Sequence, residues 1–125
     1  MKTLLGSLMA ANAALFFFGA FQHAGIALGS LQEPRIIPAA IVEALCGLSL
    51  AWGAMVVFCQ SENGIVWMAN VVAISGVLLG MAALALGRGP RTATNDLYHR
   101  VMLILAGASL LVLVFNKTAV RRSHS

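Results

Sequence analysis

Glu43 lies inside an apolar segment that begins at Pro38 and continues to Cys59. An ionisable side chain in hydrocarbon costs roughly 2.5–3.5 kcal/mol on insertion scales and marks a functional position by default. Such a carboxylate can carry a proton, bond to a quinone or another ligand, or bind a metal. It can also be tied down for structural reasons, by Arg100, His23, His99 or a helix N-terminus. His23 and His99 are the other groups with chemistry to offer. Two imidazoles and a carboxylate would suit Zn or non-haem Fe, and an axial histidine pair would suit one haem. No HxxxH or HExxH supports either reading. The plainer alternatives are a proton relay, or interfacial histidines bonded to loop carbonyls or to Glu43. The candidate ligand- or proton-handling pocket is therefore Glu43, His99, His23 and Arg100, supported by Glu33, Arg35, Asp96 and Tyr98. No catalytic residue is assigned.

The supporting residues also have simpler readings. Glu33 and Arg35 read as a solvated loop pair. Asp96 and Arg100 are spaced i,i+4 and predict a local ion pair. Tyr98 reads as an anchor at the membrane boundary, as do Trp67 and Trp52, the latter with a position deep in the span as its alternative. Asn12 and Asn70 fall inside apolar runs and are expected to bond between helices. Cys46, one turn from Glu43, reads as a small packing residue. There is no Ser–His–Asp arrangement, no phosphate loop and no basic face with interleaved aromatics. Nucleic acid is therefore excluded as a partner.

The elements that must position these groups follow from composition. The chain has 125 residues, 60% hydrophobic and only 10% charged, and its mean hydropathy is +0.90. A soluble domain carries about 25% charged residues, and one small core could not hide this much apolar surface. The expected fold is all-α: an integral membrane bundle of four transmembrane helices in one domain, 1–116, followed by a basic tail, 117–125. The spans are expected at 3–28, 38–59, 65–86 and from a cap at Thr94 or Asn95 to about Asn116. Ala11-Asn12-Ala13 mimics a signal-peptidase site, but the apolar run continues to Phe21, so the first span is expected to remain as a helix. Cys46 and Cys59 share one helix about 20 Å apart and cannot pair.

Connectivity alone gathers the polar residues. Any four-span topology puts the end of helix one, the first loop, the start of helix two, the third loop and the start of helix four on one side. That side collects Gln22, His23, Glu33, Arg35, Glu43, Asn95, Asp96, Tyr98, His99 and Arg100. The turn at 60–64, on the other side, offers only Glu62 and neutral polar groups. Helix one shows a face of small and polar residues at Asn12, Phe16, Gly19 and His23. The Glu43 face of helix two continues through Cys46, Gly47, Leu50, Gly53 and Ala54 and predicts helix packing rather than lipid contact. Gly76 with Gly80, and Gly25 with Gly29, are small-xxx-small pairs, read as packing or as a homodimer face. Four spans place both termini on one side. Positive residues divide evenly between the sides, and the free amino terminus with the basic tail favours cytoplasmic termini.

Ala24-Gly25-Ile26, a proline-containing loop and then Val42-Glu43-Ala44-Leu45-Cys46-Gly47-Leu48-Ser49-Leu50-Ala51-Trp52-Gly53-Ala54 resemble the DoxX-like group of small bacterial four-span proteins. The resemblance covers roughly residues 15–55. A single Gly47 stands where two glycines often occur, and Asn95 to Arg100 lies outside the match. It implies a four-helix bundle of a bacterial inner membrane and, for some members, a part in membrane redox complexes linked to quinone or sulfur chemistry. Only Glu43 would inherit a role. The functional expectation is a subunit of a quinone-linked membrane redox assembly, with quinone or haem as cofactor and with other membrane subunits or a second copy as partners. The alternatives are a proton-coupled carrier of a small solute and a purely structural subunit.

Overall fold

A computed structural model describes residues 1–26, 33–59, 64–89 and 92–122, with side chains up to Asn116. All regular structure in these residues is helical: α1 (Lys2–Ala24), α2 (Ile37–Cys59), α3 (Gly64–Ala85) and α4 (Ala93–Arg122). Each holds a window long and apolar enough to cross a membrane, with mean hydropathy between 1.8 and 2.0. At 1.5 Å per residue, 22 to 24 residues span about 33–36 Å, slightly more than the roughly 30 Å of bilayer hydrocarbon. The chain is a small integral membrane protein.

The helix ends follow local chemistry, and three differ from expectation. α1 stops at Ala24, short of the expected Leu28, because Gly25 takes φ 91° and closes the helix. Gly25 N–H donates to Gln22 O and Ile26 N–H to Phe21 O, the paired bonds of a glycine C-cap. α3 closes the same way at Gly87, φ 72°. α4 starts earlier than expected. Its cap is Thr92, whose Oγ1 accepts from Asn95 N–H at 3.1 Å, rather than Thr94 or Asn95. At the other end the backbone stays helical to Arg122, beyond the expected Asn116, although the apolar window ends there. The chemistry of the basic tail's side chains, the 60–63 turn and the Gly25/Gly29 pair lie outside the described residues. Pro38 sits in the first turn of α2 as expected, where its missing N–H is not needed.

The helices form a closed ring: α1 on α2, α2 on α3, α3 on α4 and α4 back on α1. Neighbouring α1 and α2 run antiparallel, since Phe58 covers Gly6 at one end and His23 meets Glu43 at the other. The core is one layer of side chains, including Leu5, Met9, Phe16, Leu50, Val77 and Met102, all essentially inaccessible. Outward positions are equally apolar, for example Leu48, Trp52, Leu78 and Ile104, so lipid replaces water as the solvent of the bundle.

With no hydrophobic drive between helices in lipid, close approach has to come from small residues. Gly53 lets three helices converge: a Cβ there would strike the Met9 methyl and lie 3.0 Å from the Ala69 Cβ. Gly76 lies against Cys46 and Gly80 against His99, so this pair packs against other helices of the bundle. Gly107, by contrast, has no heavy atom within 4 Å of where a Cβ would sit. Gly53→Val is therefore expected to cost about 1–3 kcal/mol by overpacking. Gly107→Ala is expected to stabilise by up to about 1 kcal/mol. Thermal denaturation of the two variants in detergent checks both signs.

Candidate functional site

The face of α1 read from the sequence is buried as a unit: Asn12, Phe16, Gly19 and His23. The expected face of α2 is buried too: Glu43, Cys46, Gly47, Leu50, Gly53 and Ala54. Where the two faces meet near one end of the bundle, His23 Nδ1 and Glu43 Oε2 are 2.8 Å apart. Their side chains keep only 7% and 8% of their accessible surface. One proton lies between an imidazole nitrogen and a carboxyl oxygen that are nearly sealed from solvent. This satisfies the requirement set by a carboxyl in an apolar segment.

Tyr98 completes the arrangement. Its hydroxyl donates to Leu15 O at 2.9 Å and approaches Glu43 Oε1 at 3.4 Å. A phenol has one proton, and the shorter bond takes it. Oε1 is thus only weakly bonded by Tyr98 unless Oε1 itself carries a proton and donates to the phenol oxygen. Gly19 makes this contact feasible. A Cβ there would run into the Tyr98 hydroxyl and lie 2.9 Å from Glu43 Oε1. Tyr98 is therefore no boundary anchor. The sequence signal for this was Gly19, four residues before His23 on the same helical face.

His99 is buried beside this group but is not bonded to it. Its Nδ1 is 2.8 Å from Asn95 O. A carbonyl only accepts, so Nδ1 carries the hydrogen. The ring stands edge-on to Tyr98, centroids 5.3 Å apart, and its Nε2 edge lies over Gly80, where a Cβ would be 2.5 Å away. Among the described residues no three His, Cys, Asp or Glu side chains converge as metal ligands. His23, Glu43 and His99 therefore do not form a three-ligand metal site.

The remaining expected site residues divide. Arg100 pairs with Asp96 at 2.7 Å, as i,i+4 spacing predicts, on an exposed face with 65% and 54% of the side-chain surfaces open. Neither belongs to the pocket. Glu33 and Arg35 do not bond to each other as a loop pair. Glu33 N–H donates to Gln22 Oε1 at 3.3 Å, and its Oε1 accepts from Thr92 Oγ1 at 3.1 Å, while Arg35 lays its methylene stem on Gly25. These bonds stitch the first connection to α1 and to the cap of α4. Deeper in the bundle, Asn12 Nδ2 donates across to Met102 O. Asn70 Nδ2 donates to Val66 O of its own helix at 2.9 Å and across to Met9 Sδ of α1 at 3.7 Å.

A cavity of about 380 Å³ opens beside the His23–Glu43 pair. Its polar lining is His23, Glu43, Asn95, His99 and, at the rim, Arg88; the rest is mainly apolar, with Phe16 and Met102 among the buried lining residues. An apolar chamber with a few convergent polar groups is the usual form of a small-molecule site. Compared with protein-family models, curated proteins and solved structures, the chain finds no match in any of the three.

Removing the carboxyl leaves His23 buried without its partner. Glu43→Ala is expected to destabilise by about 3 kcal/mol. Glu43→Gln, which keeps an acceptor for Nδ1–H, is expected to lose less than half of that. Arg100→Ala is expected to change stability by no more than about 0.5 kcal/mol, as for other exposed helical pairs. Equilibrium unfolding in bicelles ranks the three.

Proposed function

We propose that the chain is a membrane subunit of a quinone-linked redox assembly, and that its cavity holds the quinone ring beside a proton-exchanging pair, His23 and Glu43. The observation that carries this is the nearly sealed 2.8 Å contact on the wall of a largely apolar cavity. The residues fit such a ring. The apolar walls accept a flat, lipid-soluble body, and the pair offers a donor and an acceptor at one end. When bound, a quinone supplies two-electron chemistry coupled to protons. The chain's own part is to bind the ring, keep water out and move a proton between Glu43 Oε2 and His23 Nδ1. Tyr98 and Gly19 orient the carboxyl, and His99 shapes the wall over Gly80. Partner membrane subunits would supply the electrons. The resemblance of residues 15–55 to the DoxX-like group points the same way, as does the position of Glu43. On this reading both termini face the cytoplasm from a bacterial inner membrane.

The test is equilibrium binding of a short-tailed benzoquinone to the purified protein in nanodiscs. Wild type is expected to bind saturably, and Glu43→Gln about tenfold more weakly, the loss of one charge-assisted hydrogen bond. Absence of saturable binding overturns the proposal. In that case proton-coupled solute uptake into liposomes, lost in Glu43→Gln, would identify a carrier. No change in any bound species or activity in Glu43→Gln would leave a structural subunit.

A further inference from the structure

The cavity is not closed equally on all sides. On the α1 and α4 side its lining residues Phe16, His23, Asn95 and Met102 are buried. On the α2 and α3 side Glu43 and Val77 are buried as well, but the lining there also includes Pro38, Ala39, Val42, Leu79, Gly80 and Ala83. Of these, Pro38 and Leu79 are exposed and the other four only half-buried. Leu79 lines the cavity while leaving 59% of its surface outside the bundle. One wall of the chamber therefore reaches the outer surface.

The depth of that opening decides what lies outside it. Leu79 is six residues before the end of α3 at Ala85, about 9 Å along the axis. Val42 is five residues past the start of α2 at Ile37, about 7–8 Å along it. Helices of this length overshoot the hydrocarbon by only a few ångströms. The cleft between α2 and α3 thus faces acyl chains. Small side chains at Ala39 and Ala83 leave it unfilled. The other mouth, at Arg88 and Gly89, lies beyond the end of α3.

We propose that the cavity is loaded sideways from the bilayer through the α2–α3 cleft. Its ligand is a molecule with a long apolar tail, which stays in the cleft while the polar head reaches His23 and Glu43. This rests on the reading of the cavity as a ligand site and adds the route and the tail. A water-borne solute would instead pass Arg88.

Two probes separate these statements: a benzoquinone with a decyl tail, and the same ring with no tail, each titrated onto the full chain in nanodiscs. In Ala39→Trp and Ala83→Trp the tailed probe is expected to bind about tenfold more weakly, the tailless one within about twofold of wild type. Leu79→Ala, which widens the cleft, is expected to speed uptake of the tailed probe, and Arg88→Glu to leave it unchanged. Ala39→Leu replaces either tryptophan variant that fails to fold, with the same expected direction. Unchanged binding of the tailed probe in the cleft variants overturns the route, as does an equal loss of both probes. A loss in Arg88→Glu as large as in the cleft variants overturns it too. If wild type binds the tailless ring but not the tailed one, the route fails and the site stands. If it binds neither, the site itself fails.

Discussion

The hydrogen bond between His23 and Glu43 organises the bundle. A carboxyl in the apolar stretch of α2 has no water to turn to, and its solvation has to come from other helices. His23 supplies it from α1 at 2.8 Å. Because the imidazole sits one residue from the end of its helix, the bond sets how far α1 slides along α2. Tyr98 brings α4 to the same point, and Gly19 removes the one side chain that would keep them apart. Three helices are thus registered by one group.

The connections reinforce that register at the same end. Ile36 N–H donates to His23 O at 2.9 Å, directly behind the imidazole. Thr92 Oγ1 both caps α4 and reaches Glu33. The backbone near His23 is therefore held by the chain that leads into α2, and α4 is tied to that same chain. α3 contributes through packing, with Gly80 accepting the His99 ring and Gly76 accepting Cys46. It presents much of the rest of its surface to lipid, which suits its role as one lip of the cavity.

Much of this was legible in the sequence because composition and connectivity are strong constraints in a membrane. Hydropathy located the four spans, and alternation of direction gathered the polar groups at one end. The small-residue faces of α1 and α2 predicted which sides would be buried. What remained open was which of Arg100, His23 and His99 would answer Glu43. Spacing cannot decide between partners on different helices. Arg100 lies one residue from His99 yet faces outward to Asp96, because adjacent helical positions diverge by about 100°. Spacing could not choose between the two readings of Tyr98, pocket support and boundary anchor, for a related reason: the residue type suggests an interface, whereas the glycine opposite it sits on another helix. The helix ends moved where glycine or threonine capped them, and Gly25 and Thr92 could both have been weighed more heavily.

The choice of histidine rather than arginine as the partner bears on what the pair can do. A guanidinium remains charged at any working pH, so an Arg–Glu pair would be a fixed dipole and a permanent brace. An imidazole and a carboxyl can hold their shared proton on either atom. Tyr98 leaves that freedom intact, since its single proton is committed to Leu15 O and its approach to Oε1 is long. The second carboxyl oxygen is then the least constrained acceptor of the cluster, in a side chain that also lines the cavity. A lightly held oxygen beside the cavity is consistent with the proton-accepting role proposed for Glu43.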